Sequence, residues 1–177
     1  MKLRENGIYY ALGILLFVTL KVVYRYMNAD DLFFILHPTD QIVSLLTNSK
    51  GIFINGAGYF HQDLNVLIEK SCSGFTFFIL SFIITYFVTI NHFHHKKHKW
   101  LTLPLSVLVA WLLTTVVNAS RIAIAILLRK ITVPLPGANK WLHQAEGTFV
   151  YLFFLILFYK TLNHLLTQYF PENEKFA

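Results

Sequence analysis

The sequence predicts an all-α integral membrane protein. About four membrane-spanning helices are expected, with one extracytoplasmic loop region of mixed short helix and strand. Three observations carry this reading. Of the 177 residues, 55% are hydrophobic and only 14% are charged, where a soluble domain carries roughly 25%. The 17 phenylalanines exceed what a core of this size needs. The apolar residues also gather into four runs, each close to or above the ~20 residues that cross a ~30 Å hydrocarbon core as a helix. The length is that of a single domain, residues 1–177.

The first run, "GIYYALGILLFVTLKVVYRYM", covers residues 7–27, with Lys21 and Arg25 near its end, where long basic side chains snorkel to the interface. The preceding "MKLREN" resembles the start of a signal peptide. No small-x-small cleavage site follows, so an uncleaved span is expected. Residues 28–73 are more polar. "HPTDQIVSLLTN" predicts a short amphipathic helix opened by Pro38. "GIFINGAGYFHQDLNVLIEKS" reads as short strands around the turn signal "NGAG".

The second span is expected over residues 74–91, followed by the basic loop "NHFHHKKHKW". The third run, residues 100–128, is longer than one crossing requires and carries "NASR", which puts Arg121 deep in an apolar pattern. "RKITVPLPGANKWLHQAEG" reads as a loop because of its two prolines and glycine. The last span is expected over residues 148–166, before a polar tail.

Four spans put both termini on one side. Lys96, Lys97 and Lys99, with Lys2 and Arg4, favour that side as cytoplasmic, although Arg129, Lys130 and Lys140 sit in the opposite loop. The net charge of +6 is scattered or juxtamembrane, so no nucleic-acid partner is expected.

This topology brings three reactive side chains to one face, whichever way round the chain inserts. Cys72, the only cysteine, precedes the second span, and His143 precedes the fourth. Arg121 lies seven residues before Leu128, about 10 Å below that end at 1.5 Å per residue. Each has a bland reading: packing for Cys72, a solvated loop for His143, and a structural pairing with Asn118 or Glu146 for Arg121. Arginine is the hardest to dismiss, since it costs ~2.5–3.5 kcal/mol within a span.

Chemistry links the three. A thiol of pKa ~8.5 needs a base or a cation to become a nucleophile. Histidine supplies the base and can later protonate a leaving amine. The forked arginine can hold an oxyanion or a carboxylate. Placed at a helix start, Cys72 would also face amides that favour the thiolate, and Gly74 would let a substrate backbone approach. The constellation is that of an acyl-transfer cysteine enzyme.

"CSG" (Cys72, Ser73, Gly74), "NASR" (Asn118, Arg121) and "HQAEG" (His143, Gly147), with an upstream "GY" (Gly58, Tyr59), resemble the motifs of the exosortase/archaeosortase family of membrane-embedded cysteine transpeptidases. The likeness covers roughly residues 35–150, and the chain is similar in size to a minimal core of the exosortase K type. The resemblance implies cleavage of C-terminal sorting signals on exported proteins, each a short motif, a transmembrane helix and a basic tail. It also implies that Cys72 is the nucleophile, Arg121 the oxyanion or carboxylate partner and His143 the general acid/base. The expected partners are then exported substrate proteins and membrane lipid, at the outer face of the plasma membrane.

Other classes stay open. His92, His94, His95 and His98 form a His-rich tract of the kind that can bind metal. The interleaved lysines oppose a cation, so no metal and no cofactor is expected. A non-catalytic assembly factor or transporter subunit would use Arg121 as a structural or transport charge. A membrane protease that releases its products to water differs only in the acceptor.

The topology is testable by labelling. In a Cys72→Ala background, cysteines at Asn55 and Asn139 are expected to react with an impermeant thiol reagent in intact cells. One at His95 is expected to react only after permeabilisation; labelling of that site from outside reverses the orientation.

Overall fold

In a computed structural model the described residues are 6–93, 96–131 and 139–169, with the side chains of 96–98, 129–131, 139–144 and 146 outside the description. Among these residues five α-helices follow in order: α1 (Gly7–Tyr26), α2 (Phe33–Thr47), α3 (Phe75–His92), α4 (Lys96–Ile131) and α5 (Asn139–Tyr169). A three-stranded antiparallel sheet, β1 (Gly51–Ile54), β2 (Gly58–His61) and β3 (Val66–Ile68), sits between α2 and α3, with β2 in the middle. Among the described residues four stretches, Gly7–Tyr26, Lys70–His92, Lys99–Leu128 and Gly147–Tyr169, are long and apolar enough to cross a membrane. Fold class and sequence agree.

The helix α3 is the axis of the bundle. Its span is 67% buried inside the protein, against 6% for α1 and 11% for α5, whose apolar surfaces therefore face outward. Three buried hydroxyls on α3 would be costly if left bare. Ser81, Thr85 and Thr89 avoid this by donating to the carbonyls of Phe78, Ser81 and Thr85.

On α4 the buried small or polar residues Thr102, Ser106, Ala110, Thr114 and Asn118 recur every fourth position. Small residues let membrane helices approach closely, and Thr114 and Asn118 meet α3 at its first turn. The helix α4 has 36 residues, about 54 Å, whereas α3 has 18. The outer part of α4 therefore rises past the start of α3, and α2 packs along α4 beside α3.

Two boundaries differ from expectation. The helix α2 begins at Phe33, so Pro38 lies inside it rather than opening it. An interior proline lacks the N–H that would bond the carbonyl four residues back. Here that carbonyl belongs to Phe34, and it accepts the Trp111 indole N–H at 2.8 Å instead, which ties α2 to α4. The helix α5 begins at Asn139, nine residues before the expected start of the span. "NKWLHQAEG" lies beyond both prolines and is rich in residues that tolerate helix. His143 is therefore on a helix and not in a loop. Residues 132–138 lie outside the described residues.

The segment between α1 and α3 is pinned by polar contacts. The Lys70 ammonium donates to the carbonyls of Met27 (2.6 Å) and Arg25 (3.3 Å), satisfying orphan acceptors at the end of α1. Tyr24 donates back to the Lys70 carbonyl at 3.2 Å. The Asp30 carboxylate accepts the Gly56 amide in the β1–β2 turn at 2.9 Å.

Beneath β2, His61 is fully buried. It meets Asp40 of α2 at 2.9 Å through Nε2 and Ser49 at 3.2 Å through Nδ1. Tyr59 and His37 lie 2.7 Å apart beside them.

Burial pushes the Asp40 carboxyl above its ordinary 3.8, opposed by His61 and more weakly by His37. A raised folded-state value means that the native protein holds this proton more tightly than the unfolded chain. The associated stability is present below 3.8 and is lost as pH rises through the elevated value. Asp40→Asn keeps the shape and removes the titration. Thermal unfolding in detergent from pH 3 upward is expected to show this decline in the parent and a flatter profile in the variant.

Candidate active site

Cys72 ends a short 3-10 turn, Lys70–Cys72, three residues before α3 begins. The expectation that it starts the helix is corrected: Gly74 is the N-cap, and the Cys72 amide donates to the Glu69 carbonyl at 2.9 Å. Because Lys70 is committed to the end of α1, it does not serve as the cation for the thiol. That position is taken by Arg121 of α4, whose Nη2 donates to the half-buried Cys72 Sγ at 3.8 Å. Ser71 flanks the sulfur on another side, also at 3.8 Å, with its hydroxyl donating to Glu69 at 2.7 Å.

Counted from Lys99, Arg121 lies about 33 Å along α4, just past a ~30 Å hydrocarbon layer. It is 8% exposed. Its Nη1 donates to the Tyr151 hydroxyl of α5 at 2.9 Å, and the guanidinium lies 5.1 Å from the centre of the same ring. Tyr151 in turn donates to Asn118 Oδ1 at 2.6 Å, and Asn118 Nδ2 donates to the Cys72 carbonyl at 2.7 Å.

The structural pairing foreseen for Arg121 thus reaches Asn118 only through Tyr151. The Glu146 side chain lies outside the described residues. Buried Arg121 Nε has no hydrogen-bond partner among the described residues. Gly147 packs against it so closely that an added Cβ would lie 3.4 Å from Nε.

The structure brings Cys72 and Arg121 together. For His143 it fixes the backbone alone: the residue lies on α5 four positions before Gly147, one turn along the series that continues to Tyr151. Its side chain lies outside the described residues, as do those of His94, His95 and His98. No metal-binding group of three or more His, Cys, Asp or Glu occurs among the described residues. Tyr151 escaped the sequence reading. Its one signal is its place eight residues after His143 and four after Gly147, on the same helix face.

Gly74 has a packing role of its own. Its φ is +72°, and an added Cβ would sit 3.0 Å from Asn118 Cγ and 3.2 Å from Thr114 Cγ2. A close approach here is made by α4.

A family model of transmembrane exosortases matches residues 9–160. The chain belongs to the transmembrane exosortase family. The match spans Cys72, Asn118, Arg121, His143 and Tyr151 together. No curated protein and no solved structure matches the chain. Membership carries a multi-pass membrane location and, in general terms, a membrane protease or transpeptidase role toward exported proteins.

Gly74→Ala tests how tightly the site is built. The added methyl, on a backbone conformation that favours glycine, is expected to push Asn118 off the Cys72 carbonyl. The expected result is a protein that inserts but unfolds several degrees lower and processes exported proteins poorly. Thermal unfolding and processing at matched protein levels measure the two effects.

Proposed function

We propose that this protein is a membrane-embedded cysteine transpeptidase that cleaves C-terminal sorting signals of exported proteins through an acyl-enzyme on Cys72. The observation that carries the reading is the Arg121 guanidinium placed against the lone thiol at the edge of the span, 3.8 Å from its sulfur. A cation beside a cysteine favours the thiolate, which is the nucleophilic form.

In this mechanism His143 takes the thiol proton, and the sulfur adds to the scissile carbonyl carbon. The carbonyl oxygen becomes an oxyanion, which Arg121 meets with its forked donors. As the C–N bond breaks, His143 returns the proton to the leaving amine, leaving a thioester on Cys72. An acceptor nucleophile then gives its proton to His143 and attacks the thioester, releasing the acyl group and restoring the thiol. Water as acceptor would make the same site a protease. The mechanism uses no metal or cofactor.

The substrate signal comprises a short motif, an apolar helix and a basic tail. The helix would lie in the same lipid that surrounds α1 and α5. The short basic loop between α3 and α4 favours an inner-membrane orientation, with Cys72 on the extracytoplasmic side.

Cys72→Ala is expected to insert normally and to abolish processing, while the parent yields a substrate fragment bound through a thioester to Cys72, visible by mass spectrometry. Arg121→Lys keeps the charge but loses the fork. It is expected to accumulate like the parent and to process at least a hundredfold more slowly, within the 10²–10³ that loss of one oxyanion donor costs. His143→Ala is expected to slow the reaction by ~10²–10⁴. Normal processing by Cys72→Ala would transfer the protein to the non-catalytic class. Near-normal processing by Arg121→Lys would make the arginine a structural charge.

A further inference from the structure

The hydrogen bonds around Tyr151 run in one direction only. Arginine has no acceptor, so the Tyr151 oxygen must accept from Arg121 Nη1. The single phenolic proton is then free for Asn118 Oδ1. This orients the Asn118 amide, whose Nδ2 faces another pure acceptor, the Cys72 carbonyl. A chain of donors therefore starts at the guanidinium and ends on the backbone of the cysteine. Its middle member is the hydroxyl. The ring that carries it is fixed independently, packed against Phe77 with centroids 4.9 Å apart and lying beneath the guanidinium.

We propose that Tyr151 is a positioning residue: its hydroxyl locks the Arg121 guanidinium and the Cys72 backbone into one frame, which holds Nη2 against the thiol. The proposal deepens the cysteine-transpeptidase reading and rests on it for its purpose, though not for its test. Without the hydroxyl, Nη1 has no acceptor on α5 among the described residues, and the guanidinium can turn away from the sulfur. Asn118 then also loses the donor that sets its flip state. Tyr151 touches neither the sulfur nor the reacting bond, so it acts through Arg121 and Asn118.

Tyr151→Phe removes the hydroxyl and keeps both ring contacts. Cys72 is the only cysteine in the chain, so its alkylation by iodoacetamide reads the site without any substrate. In detergent at pH 7.5, the expected rate for Tyr151→Phe is at least threefold lower than for the parent, with the unfolding temperature little changed. In an Arg121→Lys background the same substitution is expected to change the rate less than 1.5-fold, because the effect passes through the guanidinium.

A merely structural role predicts the opposite sign, since loosened packing exposes the thiol and speeds alkylation. Faster or unchanged alkylation, or an equal drop in the Arg121→Lys background, overturns the proposal. If Tyr151→Phe does not accumulate, Asn118→Ser cuts the same chain beyond the hydroxyl. It is expected to slow alkylation in the same way, and an unchanged or faster rate overturns the proposal equally. Failure of the transpeptidase reading appears separately, as normal processing by Cys72→Ala.

Discussion

A guanidinium at the edge of a hydrocarbon layer has to be met by acceptors, and much of the outer half of this protein is arranged around that requirement. Arg121 comes from α4, its acceptor Tyr151 from α5, and the sulfur it faces from the turn before α3. Insertion scales charge ~2.5–3.5 kcal/mol for an arginine at the centre of a span, an upper bound for one at its edge. Hydrogen bonds to charged groups return about 1.5–3 kcal/mol each, so one good bond and a weak contact to sulfur are of the right size to offset that cost. The same contacts decide where α5 can sit. Gly147 is small enough for α5 to lie directly on Nε, and Tyr151 takes Nη1 one turn further along.

The turn that carries Cys72 is held from two directions. Lys70 anchors it to the end of α1, and Asn118 anchors it to α4 through the cysteine's own carbonyl. The nucleophile candidate thus sits on a short, doubly tethered segment, and the site draws on three helices that are distant in sequence. Remote segments can be held to a common geometry in this way because α3 packs its large aromatic residues, Phe75, Phe77, Phe82 and Tyr86, into an almost fully buried core.

The four spans were legible because bilayer thickness dictates helix length, and composition alone records it. Cys72 and Arg121 were legible as neighbours because alternating helix directions bring their ends together. Tyr151 was not, since a tyrosine in "TFVYLFF" reads as one more aromatic until its hydroxyl is seen between two polar groups. Pro38 misled because the donor that replaces its missing hydrogen bond, Trp111, comes from another helix. The start of α5 was hidden by Pro134, Pro136 and Gly137, which argue for a loop without saying where it stops. The His61–Asp40 pair was invisible because it depends on how the sheet sits over α2.

Trp111 has a further consequence. Tryptophan commonly marks the water–lipid boundary, but this indole lies about 18 Å along α4 from Lys99, within the layer, and is spent on the Phe34 carbonyl. Trp100, 70% exposed beside Lys99 near the start of α4, is placed at that boundary. A helix moored at one end rides up or down at the other as the lipid layer changes thickness, and membranes differ by a few ångströms. With Arg121 about 33 Å from Lys99, a thin bilayer leaves the thiol and its cation in the headgroup region, wet and reachable. A thick one draws them below the surface.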